Sequence, residues 1–237
     1  MKALILNSGL GHRMGDITKT HPKCMTEITE KDTILSRQLG FLHKAGIKEV
    51  VMTIGYFDDV LINYCNSLSL PLKFTFINNP LYAETNYIYS IYCAKSLLED
   101  DILLMHGDLV FEESVLKDML EEKESCMKVS STSALPDKDF KAVVRDGEVK
   151  AVGIEFFDSA MEAQALYKLN KEDWMVWLNK IIEYCENDKR KCYAEVALNE
   201  VTDRCHIKAY DVQDRLCTEI DNPEDLDKVK KRIAAII

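Results

Sequence analysis

The first half of the chain alternates short apolar runs with longer stretches in which apolar residues recur every three or four positions. Apolar runs bounded by turn residues predict strands, and the longer periodicity predicts amphipathic helices. Strands are predicted at 3–6, 49–54, 72–77 and 101–105, and helices at 33–45, 57–66, 86–98 and 112–123. Asp32 is expected to cap the first helix and Gly46 to end it. This order predicts an α/β fold with a doubly wound, mostly parallel sheet.

The second half is richer in strands. They are predicted at 127–133, 141–145, 149–154, 164–169, 206–212 and 216–220. Asp146-Gly147, between two of these strands, is a strong signal for a tight hairpin turn. Helices are predicted at 171–186, with Asn170 as N-cap, and at 223–236, where Pro223 suits the first turn. Since no repeat or linker separates the halves, residues 1–237 are expected to form one domain, with a small β-rich part at 126–237.

Composition narrows the class of protein. With 237 residues, 47% of them hydrophobic, the chain can bury a sizeable core. Its net charge of −10 argues against nucleic acid as a partner, because phosphate backbones recruit basic surfaces. The short apolar run at the N-terminus does not resemble a signal peptide, and no stretch is long enough to span a membrane. The eight scattered cysteines include no Cys-x-x-Cys pair, so we expect reduced thiols, no structural metal site and a cytoplasmic location without membrane partners.

The first predicted strand ends in a small loop, Asn7-Ser8-Gly9-Leu10-Gly11, which is followed by Arg13 and then by Pro22-Lys23. The backbone amides of such a loop can hold phosphate oxygens, and the two cations can balance the charge of a triphosphate. The loop lacks the Gly-Lys-Ser/Thr ending of a P-loop and the third glycine of the dinucleotide fingerprint. The glycines alone are therefore also consistent with a simple strand-to-helix turn.

The whole N-terminal string is more specific than its glycines. The strand, the Gly-Leu-Gly loop, Arg13, Thr18 and Pro22-Lys23 together resemble the signature of nucleotidyltransferases that join a nucleoside triphosphate to a phosphate-bearing small molecule. That signature reads Gly-x-Gly-Thr-Arg-Met/Leu, then a short loop, then Pro-Lys. His12 stands where the family usually has Thr or Ser, and Asn7-Ser8 replaces a pair of small residues. The resemblance implies a Rossmann-like nucleotidyltransferase fold, with a nucleotide-binding half at 1–125 and an acceptor-binding half at 126–237.

A second stretch, 79–90, carries the pattern Tyr-x-x-Thr-Asn-x-x-Tyr-Ser. It is similar to the corresponding stretch of bacterial CTP:phosphocholine cytidylyltransferases and of relatives acting on aminoethylphosphonate. It lacks the Gln-Pro loop with which hexose-1-phosphate nucleotidyltransferases hold base and sugar. The resemblance therefore implies transfer of a cytidylyl group from CTP to a small phosphate- or phosphonate-bearing acceptor, with release of pyrophosphate.

The resemblance also implies roles for individual residues. Lys23 and Arg13 would be the catalytic cations. The nucleotide would be bound by Leu6, Asn7, Ser8, Gly9, Leu10, Gly11, Arg13, Lys23, Gly55, Asn78 and Asp108. The acceptor would be bound by Tyr82, Thr85, Asn86, Tyr89, Glu195 and Asn199. Association as a homodimer stays open.

Two aspartates far apart in sequence follow predicted strands. Asp108 follows 101–105 through His106-Gly107, and Asp221 ends the strand at 216–220. Carboxylates that converge on one sheet edge suit Mg²⁺ bound to a triphosphate, although Asp108 can also be a turn residue and Asp221 a helix N-cap. Both positions match the family pattern, which implies that Asp108 and Asp221 are the Mg²⁺ ligands.

The acceptor itself stays open at this point. Tyr193, Glu195 and Trp174 are the residue types that hold an ammonium group, but Trp174 also fits a buried core and Glu195 a solvated helix face. Tyr87 is expected in the core, and Asn86 either caps a helix or contacts the ligand. Phosphocholine, aminoethylphosphonate, a phosphorylated amino-acid amide and glycerol phosphate all remain candidates.

Two rival functions use the same residues. A sugar-1-phosphate uridylyl- or thymidylyltransferase would have the same loop and aspartates, and the missing Gln-Pro loop counts against it. A non-catalytic, pyrophosphorylase-like regulatory protein would be expected to lose the lysine or an aspartate. Its case is weakened because Arg13, Lys23, Asp108 and Asp221 are all present.

Overall fold

A mixed β-sheet runs through the centre of the computed structural model, which describes residues 1–9 and 11–236. The strands are β1 (Lys2–Leu6), β2 (Glu49–Ile54), β3 (Lys73–Asn78), β4 (Ile102–His106), β5 (Leu109–Phe111), β6 (Cys126–Ser130), β7 (Lys141–Arg145), β8 (Glu148–Gly153), β9 (Ala160–Leu169), β10 (Lys208–Asp211) and β11 (Cys217–Glu219). The α-helices are α1 (Ile34–Lys44), α2 (Asp58–Ser67), α3 (Tyr87–Ala94), α4 (Glu113–Glu121), α5 (Lys171–Glu186), α6 (Ala194–Asn199) and α7 (Pro223–Ile236). Short 3₁₀ helices cover His12–Thr18, Lys23–Met25 and Lys95–Leu97.

The first half of the sheet is parallel and doubly wound, as the sequence predicts. Its strand order is β3-β2-β1-β4, and all three neighbouring pairs run parallel. One face packs against α1, α2 and α4, and the other against α3, α5 and α6. Ala3, Leu4 and Ile5 are fully buried in β1, which explains the apolar run at the start of the chain.

The second half forms the small β-rich part. In it, β9 lies antiparallel between β4 and β6, and the sheet continues through β10, β8 and β7. Because β7 also pairs with β9, the strands β9, β6, β10, β8 and β7 close into a ring. The predicted hairpin turn between β7 and β8 is confirmed: Asp146 and Gly147 both have positive φ, at 53° and 78°.

Several helix boundaries differ from the predictions for local reasons. Thr33, not Asp32, caps α1, because the Thr33 side chain accepts from the Ser36 amide in a reciprocal capping box. Gly46 follows the helix with a φ of 80°, which confirms it as the stop. The predicted helix at 86–98 divides into α3 and the 3₁₀ turn Lys95–Leu97. Asn170 is the N-cap residue of α5, as predicted, but its side chain binds Lys168 and the Lys123 carbonyl and makes no capping hydrogen bond.

A two-stranded ribbon beside the main sheet was not predicted. In it β5, only three residues long, pairs antiparallel with β11. The last helix, α7, packs on this ribbon through a small apolar cluster that includes Val110, Ile220 and Val229. The ribbon brings the end of β11 next to the end of β4. None of the described helices is both long and apolar enough to cross a membrane.

Candidate active site

The ammonium group of Lys23 lies between the carboxylates of Asp108 and Asp221. Its Nζ is 2.5 Å from Asp108 Oδ2 and 2.7 Å from Asp221 Oδ1. The Arg13 guanidinium lies 2.8 Å from the same oxygen of Asp221, and its side chain is mostly exposed. The structure therefore brings together the two cations and the two aspartates that the sequence singles out.

The convergence of the two aspartates depends on the β5–β11 ribbon. Asp108 follows β4, at the carboxyl end of the parallel strands, and its carbonyl accepts from the Ile220 amide at 3.1 Å. Asp221 comes directly after Ile220, so it reaches Asp108 along the ribbon and not from a second strand of the main sheet. Asp221 is not the N-cap of α7, because the Asn222 side chain accepts from the amides of Glu224 and Asp225. The Asp221 carboxylate is thus free to face Lys23.

Mutual attraction between these charges outweighs the effect of burial. Burial alone would lower the pKa of Lys23, but Asp108 and Asp221 together hold it above its usual value. Burial would raise the pKa of Asp108, but the charges of Lys23 and then His106 hold it below its usual value. Lys23 and Asp108 are therefore both charged at neutral pH, as the binding of phosphates and of a cation requires.

A cavity of about 440 Å³ opens over this charge cluster. It is lined by Leu6, Asn7, Gly9, Gly11, Arg13, Pro22, Lys23, Cys24, Asp108 and Asp221. Most of the residues predicted to bind nucleotide are therefore in one wall. Ser8 points away from this cavity: its hydroxyl lies 2.6 Å from that of Ser90. Leu10, which was also predicted to bind nucleotide, lies outside the described residues.

The Asn7 side chain crosses the end of β4 at Gly107. A Cβ at position 107 would lie only 1.6 Å from Asn7 Oδ1, so no other residue fits there without moving Asn7. The Asn7 Nδ2 group is buried and finds no acceptor among the described residues. A buried donor without a partner is costly, and this one lies in the cavity wall, where a ligand oxygen can satisfy it.

A second cavity, of about 200 Å³, shares Leu6, Gly9 and Asp108 with the first. The rest of its wall is formed by Ser8, Asn79, Tyr82, Thr85, Asn86, Tyr87, Ser90 and His106. The predicted Asn78 is exposed at the end of β3, and its neighbour Asn79 takes the place in the wall. Asn79 Nδ2 donates to the hydroxyls of Thr85 and Ser90 at 3.2 and 3.0 Å.

Gly55 lies behind this wall. A Cβ at position 55 would be 2.7 Å from the Ser8 carbonyl oxygen and 3.1 Å from Tyr82 Cγ, closer than ordinary van der Waals contact in both cases. The role predicted for Gly55 is therefore indirect: it lets the loop and Tyr82 pack closely and does not itself line either cavity.

The predicted acceptor residues divide into two groups. Tyr82, Thr85 and Asn86 line the second cavity. Asn86 also caps α3, since its Oδ1 accepts from the Tyr87 amide, so both of the roles considered for it are compatible. The three others, Tyr89, Glu195 and Asn199, line neither cavity.

Packing explains why Tyr89 and Asn199 lie elsewhere. The ring of Tyr89 stacks on Tyr92, with centroids 5.6 Å apart, and the Arg190 guanidinium lies over its face. The Asn199 side chain exchanges two hydrogen bonds with the backbone of Val152 and so ties α6 to β8. Both residues have structural partners in place of a ligand.

Glu195 is not a solvated helix residue. Its carboxylate is buried and accepts from the hydroxyls of Tyr87 and Tyr167. Burial and the Glu195 charge raise the pKa of both tyrosines well above the usual value, so both hydroxyls keep their protons. Trp174 is in the core, as the simpler interpretation holds, and donates to the Leu98 carbonyl at 2.8 Å.

Tyr87 connects Glu195 to the second cavity. Contrary to the expectation of a core residue, Tyr87 is only partly buried and lines that cavity. Its ring meets the His106 ring edge-on, with centroids 4.7 Å apart, and lies 5.9 Å from the ring of Tyr193. Tyr193 also packs edge-on against Phe140, at 5.1 Å. These aromatic rings form one cluster, which reaches the second cavity through Tyr87.

His106 and Glu219 are functional candidates that the sequence did not reveal. His106 Nδ1 is 2.7 Å from Glu219 Oε1, and its Nε2 is buried without a partner among the described residues. Burial lowers the pKa of His106, but Glu219 outweighs it and raises the pKa to about 9. The sequence His106-Gly107-Asp108 already indicates that His106 lies close to Asp108. The position of Glu219 at the site follows only from the fold.

The carboxylates fit a divalent cation. Oxygens of Asp108 and Asp221 lie within 2.7 Å of the same ammonium nitrogen, so both converge on a single positive charge. Hard carboxylate oxygens are the ligands that Mg²⁺ prefers. His106, Asp108 and Glu219 form a further group whose ligand atoms lie within 4.8 Å of one another, with Asp108 common to both sets.

Comparison with known proteins agrees with this geometry. The chain is 32% identical over 156 residues to the CTP:phosphoglutamine cytidylyltransferase of Campylobacter jejuni, which covers 62% of this chain and 60% of that protein. It is 27% identical over 165 residues to the CMP-5'-(3-aminopropyl)phosphonate synthase of Streptomyces rubellomurinus, covering 70% of this chain and 26% of that protein. The chain thus spans less than two thirds of the length of either relative.

The fold matches over nearly the whole chain. The structure of the CTP:phosphocholine cytidylyltransferase from Streptococcus pneumoniae superposes with a TM-score of 0.78 at 17% identity, covering 98% of both chains. This likeness shows the Rossmann-like nucleotidyltransferase fold. The MobA-like NTP transferase domain matches residues 3–139, more than half of the sequence. The chain therefore belongs to the family of MobA-like NTP transferases and is related to cytidylyltransferases.

Proposed function

We propose that this chain is a Mg²⁺-dependent cytidylyltransferase that joins CTP to a small acceptor bearing a phosphate or phosphonate group and releases pyrophosphate. The observation that carries the proposal is the position of Lys23 between Asp108 and Asp221 at the mouth of the glycine loop. The choice of CTP is supported by the two relatives described above, whose names specify cytidylyl transfer.

In this proposal the 440 Å³ cavity holds the triphosphate. Lys23 binds the α-phosphate, whose charge increases in the transition state, while Arg13 and the loop amides of Ser8, Gly9 and Gly11 bind the β- and γ-phosphates. Such a transfer depends on positioning and on neutralising charge more than on covalent chemistry. The acceptor phosphate is already ionised, so the reaction needs no general base.

Asp108 and Asp221 would hold the Mg²⁺ ion. The ion would supply Lewis-acid stabilisation of the phosphate oxygens. The chain's own contribution is to fix the two carboxylates at one end of the β5–β11 ribbon, where the charge of Lys23 offsets their mutual repulsion. Nucleotide binding would then require Lys23 to exchange at least one aspartate for a phosphate oxygen.

The second cavity would hold the base and ribose. Its wall offers hydrogen-bonding groups on Asn79, Thr85 and Asn86, with the Tyr82 ring beside them. These groups can read the edge of a pyrimidine, which has both donors and acceptors. The single-domain division into a nucleotide half, 1–125, and an acceptor half, 126–237, is part of the same proposal.

The acceptor would carry a positive charge as well as its phosphate. Tyr87, Tyr193 and Phe140 supply aromatic faces, and Glu219 supplies a carboxylate close to Asp108. Aromatic faces and carboxylates together select ammonium groups. Glu195 would act through Tyr87, whose hydroxyl it holds, and not by contact with the acceptor.

A pyrophosphate-release assay tests the proposal. It crosses ATP, CTP, GTP, UTP and dTTP with phosphocholine, aminoethylphosphonate, phosphorylated glutamine, glycerol phosphate and glucose 1-phosphate. Turnover is expected with CTP and an ammonium-bearing acceptor. Preference for UTP or for dTTP with glucose 1-phosphate would support the rival sugar nucleotidyltransferase, and no turnover with any pair would support the non-catalytic alternative.

A further inference from the structure

Three lysine side chains are buried in the second half of the protein, and they differ in how well their ammonium groups are satisfied. Lys168 Nζ donates to three oxygens, including Asn170 Oδ1 at 2.6 Å. Lys141 Nζ donates to two backbone carbonyls and lies over the ring of Phe157. Lys128 Nζ has a single acceptor among the described residues, the carboxylate of Glu162. Lys128 is therefore the least satisfied of the three.

The small number of hydrogen-bond acceptors around Lys128 matters because its side chain is almost fully buried. Its side chain is only 2% exposed, so bulk water has little access to its ammonium group. An ammonium group has three N–H donors, and leaving a buried charged donor without a partner is costly. The Glu162 carboxylate is shared with Gln164, whose Nε2 donates to its other oxygen at 2.8 Å. Lys128 thus has N–H donors without a protein acceptor among the described residues.

The unused donors adjoin a third cavity, of about 260 Å³, enclosed by β6, β9, β11 and α7. Its wall contains equal numbers of basic and acidic side chains: Lys128, Arg215, Lys228 and Arg232 with Asp139, Glu162, Glu219 and Asp225. A cavity with a buried cation that lacks acceptors and several carboxylates beside it is complementary to a zwitterion. The carboxylate of the zwitterion would bind Lys128 and its ammonium the acidic side chains.

The third cavity lies directly behind the candidate metal site. Asp225, in its wall, accepts from the backbone amide of Asp221 at 3.2 Å. Glu219, also in its wall, binds His106, two residues before Asp108. A carboxylate oxygen of Glu219 lies within 4.8 Å of one of Asp108, so the shortest route from the aspartate pair to Lys128 passes Glu219.

We infer that this cavity binds the amino-acid end of the acceptor, with its α-carboxylate on Lys128. The inference rests on the proposed function and narrows the acceptor to amino acids, or their close derivatives, that carry a phosphate or phosphonate on the side chain. Choline phosphate and aminoalkylphosphonates lack the carboxylate and would leave Lys128 unsatisfied.

The test uses O-phosphoserine and phosphoethanolamine, which differ only in the carboxylate. Calorimetric titration of the whole chain, without nucleotide, is expected to show at least about tenfold tighter binding of phosphoserine. Only phosphoserine has a carboxylate that can accept a charge-assisted hydrogen bond from the buried ammonium group. Pyrophosphate release with CTP should show the same preference in kcat/KM.

The variant that tests the contact is the double substitution Lys128→Met with Glu162→Gln. Replacing both members avoids leaving an unpaired buried carboxylate, which Lys128→Met alone would do. The affinity for phosphoserine is expected to fall to that for phosphoethanolamine. Lys168→Met is the matched control: it also removes a buried ammonium, but outside this cavity, and should keep the preference. Thermal unfolding checks that each variant is folded.

Equal binding of the two compounds by the unchanged protein would overturn the inference, as would a preference that survives in the folded double variant. Binding is measured without CTP, so it is separate from catalysis. A Lys128-dependent preference in calorimetry, with no pyrophosphate released from any nucleotide, would overturn the proposed cytidylyl transfer and leave the zwitterion site standing.

Discussion

Lys23 Nζ lies 2.7 Å from Asp221 Oδ1, although 198 positions separate the two residues in the chain. This ion pair joins the N-terminal loop to the last strand and so connects the predicted phosphate site to the β5–β11 ribbon. Removing either partner leaves the other charge half-buried. Activity and local stability should therefore change together at this contact.

Lys23→Met should remove nearly all turnover. A cation that contacts charge developing in the transition state typically contributes on the order of 3 kcal/mol, which corresponds to a rate loss of about a hundredfold or more. Steady-state pyrophosphate release with CTP measures the loss, and circular dichroism checks the fold. Lys19→Met is the control, because Lys19 is close in sequence but pairs on the surface with Asp16. Wild-type turnover in the Lys23 variant would show that it is not the catalytic cation.

Activity should vanish in a chelator and return with added Mg²⁺. Asp108→Asn and Asp221→Asn should each raise the Mg²⁺ concentration needed for half-maximal rate, because an amide keeps the shape of the carboxylate without the charge that holds a hard cation. Asp227→Asn is the control, because Asp227 lies on the exposed surface of α7, where it pairs with Lys231. Full activity in the chelator would contradict the assignment of the two aspartates.

The sequence predicted most of the fold because its signals are local. Apolar runs and helical periodicity identified the strands and helices around the parallel sheet, and the Gly-Leu-Gly, Pro-Lys and Gly-Asp motifs identified the residues of the charge cluster. The ribbon was missed because β5 has only three residues and depends on pairing with β11, more than a hundred positions away in the chain. Glu219 and Lys128 were missed for the same reason: their roles depend on tertiary neighbours that no local pattern encodes.

Burial and tertiary contacts explain why three of the predicted acceptor residues line neither the first nor the second cavity. Glu195 follows a tyrosine in a polar stretch and looks solvated, but the fold places it between two tyrosine hydroxyls. Asn199 and Tyr89 are residue types that can bind a ligand. In the fold, however, the Asn199 side chain hydrogen-bonds the backbone of Val152, and the Arg190 guanidinium lies over the Tyr89 ring. The type of a residue limits its chemistry, but only its neighbours in the fold decide whether it faces a ligand.

Asn7→Ala should weaken the binding of CTP without destabilising the protein. Its Nδ2 is a buried donor without a partner, so removing it relieves a desolvation cost of about 1 kcal/mol in the free protein and removes a hydrogen bond to the nucleotide. The KM for CTP is expected to rise about tenfold, with little change in the midpoint of thermal unfolding. Asn78→Ala, at the exposed end of β3, should change neither value. An unchanged KM in the Asn7 variant would place its amide outside the nucleotide contacts.

Glu195→Gln should lower the free energy of unfolding by roughly 1–3 kcal/mol, because the buried carboxylate accepts two tyrosine hydroxyls and an amide can serve them less well. If Glu195 acts through Tyr87, the KM for the ammonium-bearing acceptor should also rise while the KM for CTP stays the same. Glu200→Gln, whose carboxylate binds Tyr184 near the surface, is the matched control. Urea titration measures the free energy of unfolding, and steady-state kinetics measure the KM for the acceptor and for CTP. A rise in the KM for CTP alone would contradict a role of Glu195 in acceptor binding.

The ion pair between His106 and Glu219 should make stability fall in mild alkali. Glu219 outweighs burial and raises the pKa of His106 from 6.5 to about 9, while burial and Asp108 raise the pKa of Glu219 against the opposing charge of His106. A group with a raised folded pKa stabilises the protein fully below its unfolded pKa, and that contribution is lost as the pH rises through the folded value. The loss should therefore extend from about pH 6.5 to about pH 9.

His106→Gln isolates this contribution, because the glutamine amide can still donate to Glu219 but does not titrate. Between pH 6.5 and pH 9 the free energy of unfolding of the wild type should fall more than that of the variant, with a difference on the order of 1–3 kcal/mol. Urea denaturation at a series of pH values gives both curves. Parallel curves would mean that folding does not raise the pKa of His106. A steeper fall in the wild type would instead establish a charged imidazole beside Asp108, at the wall of the second cavity.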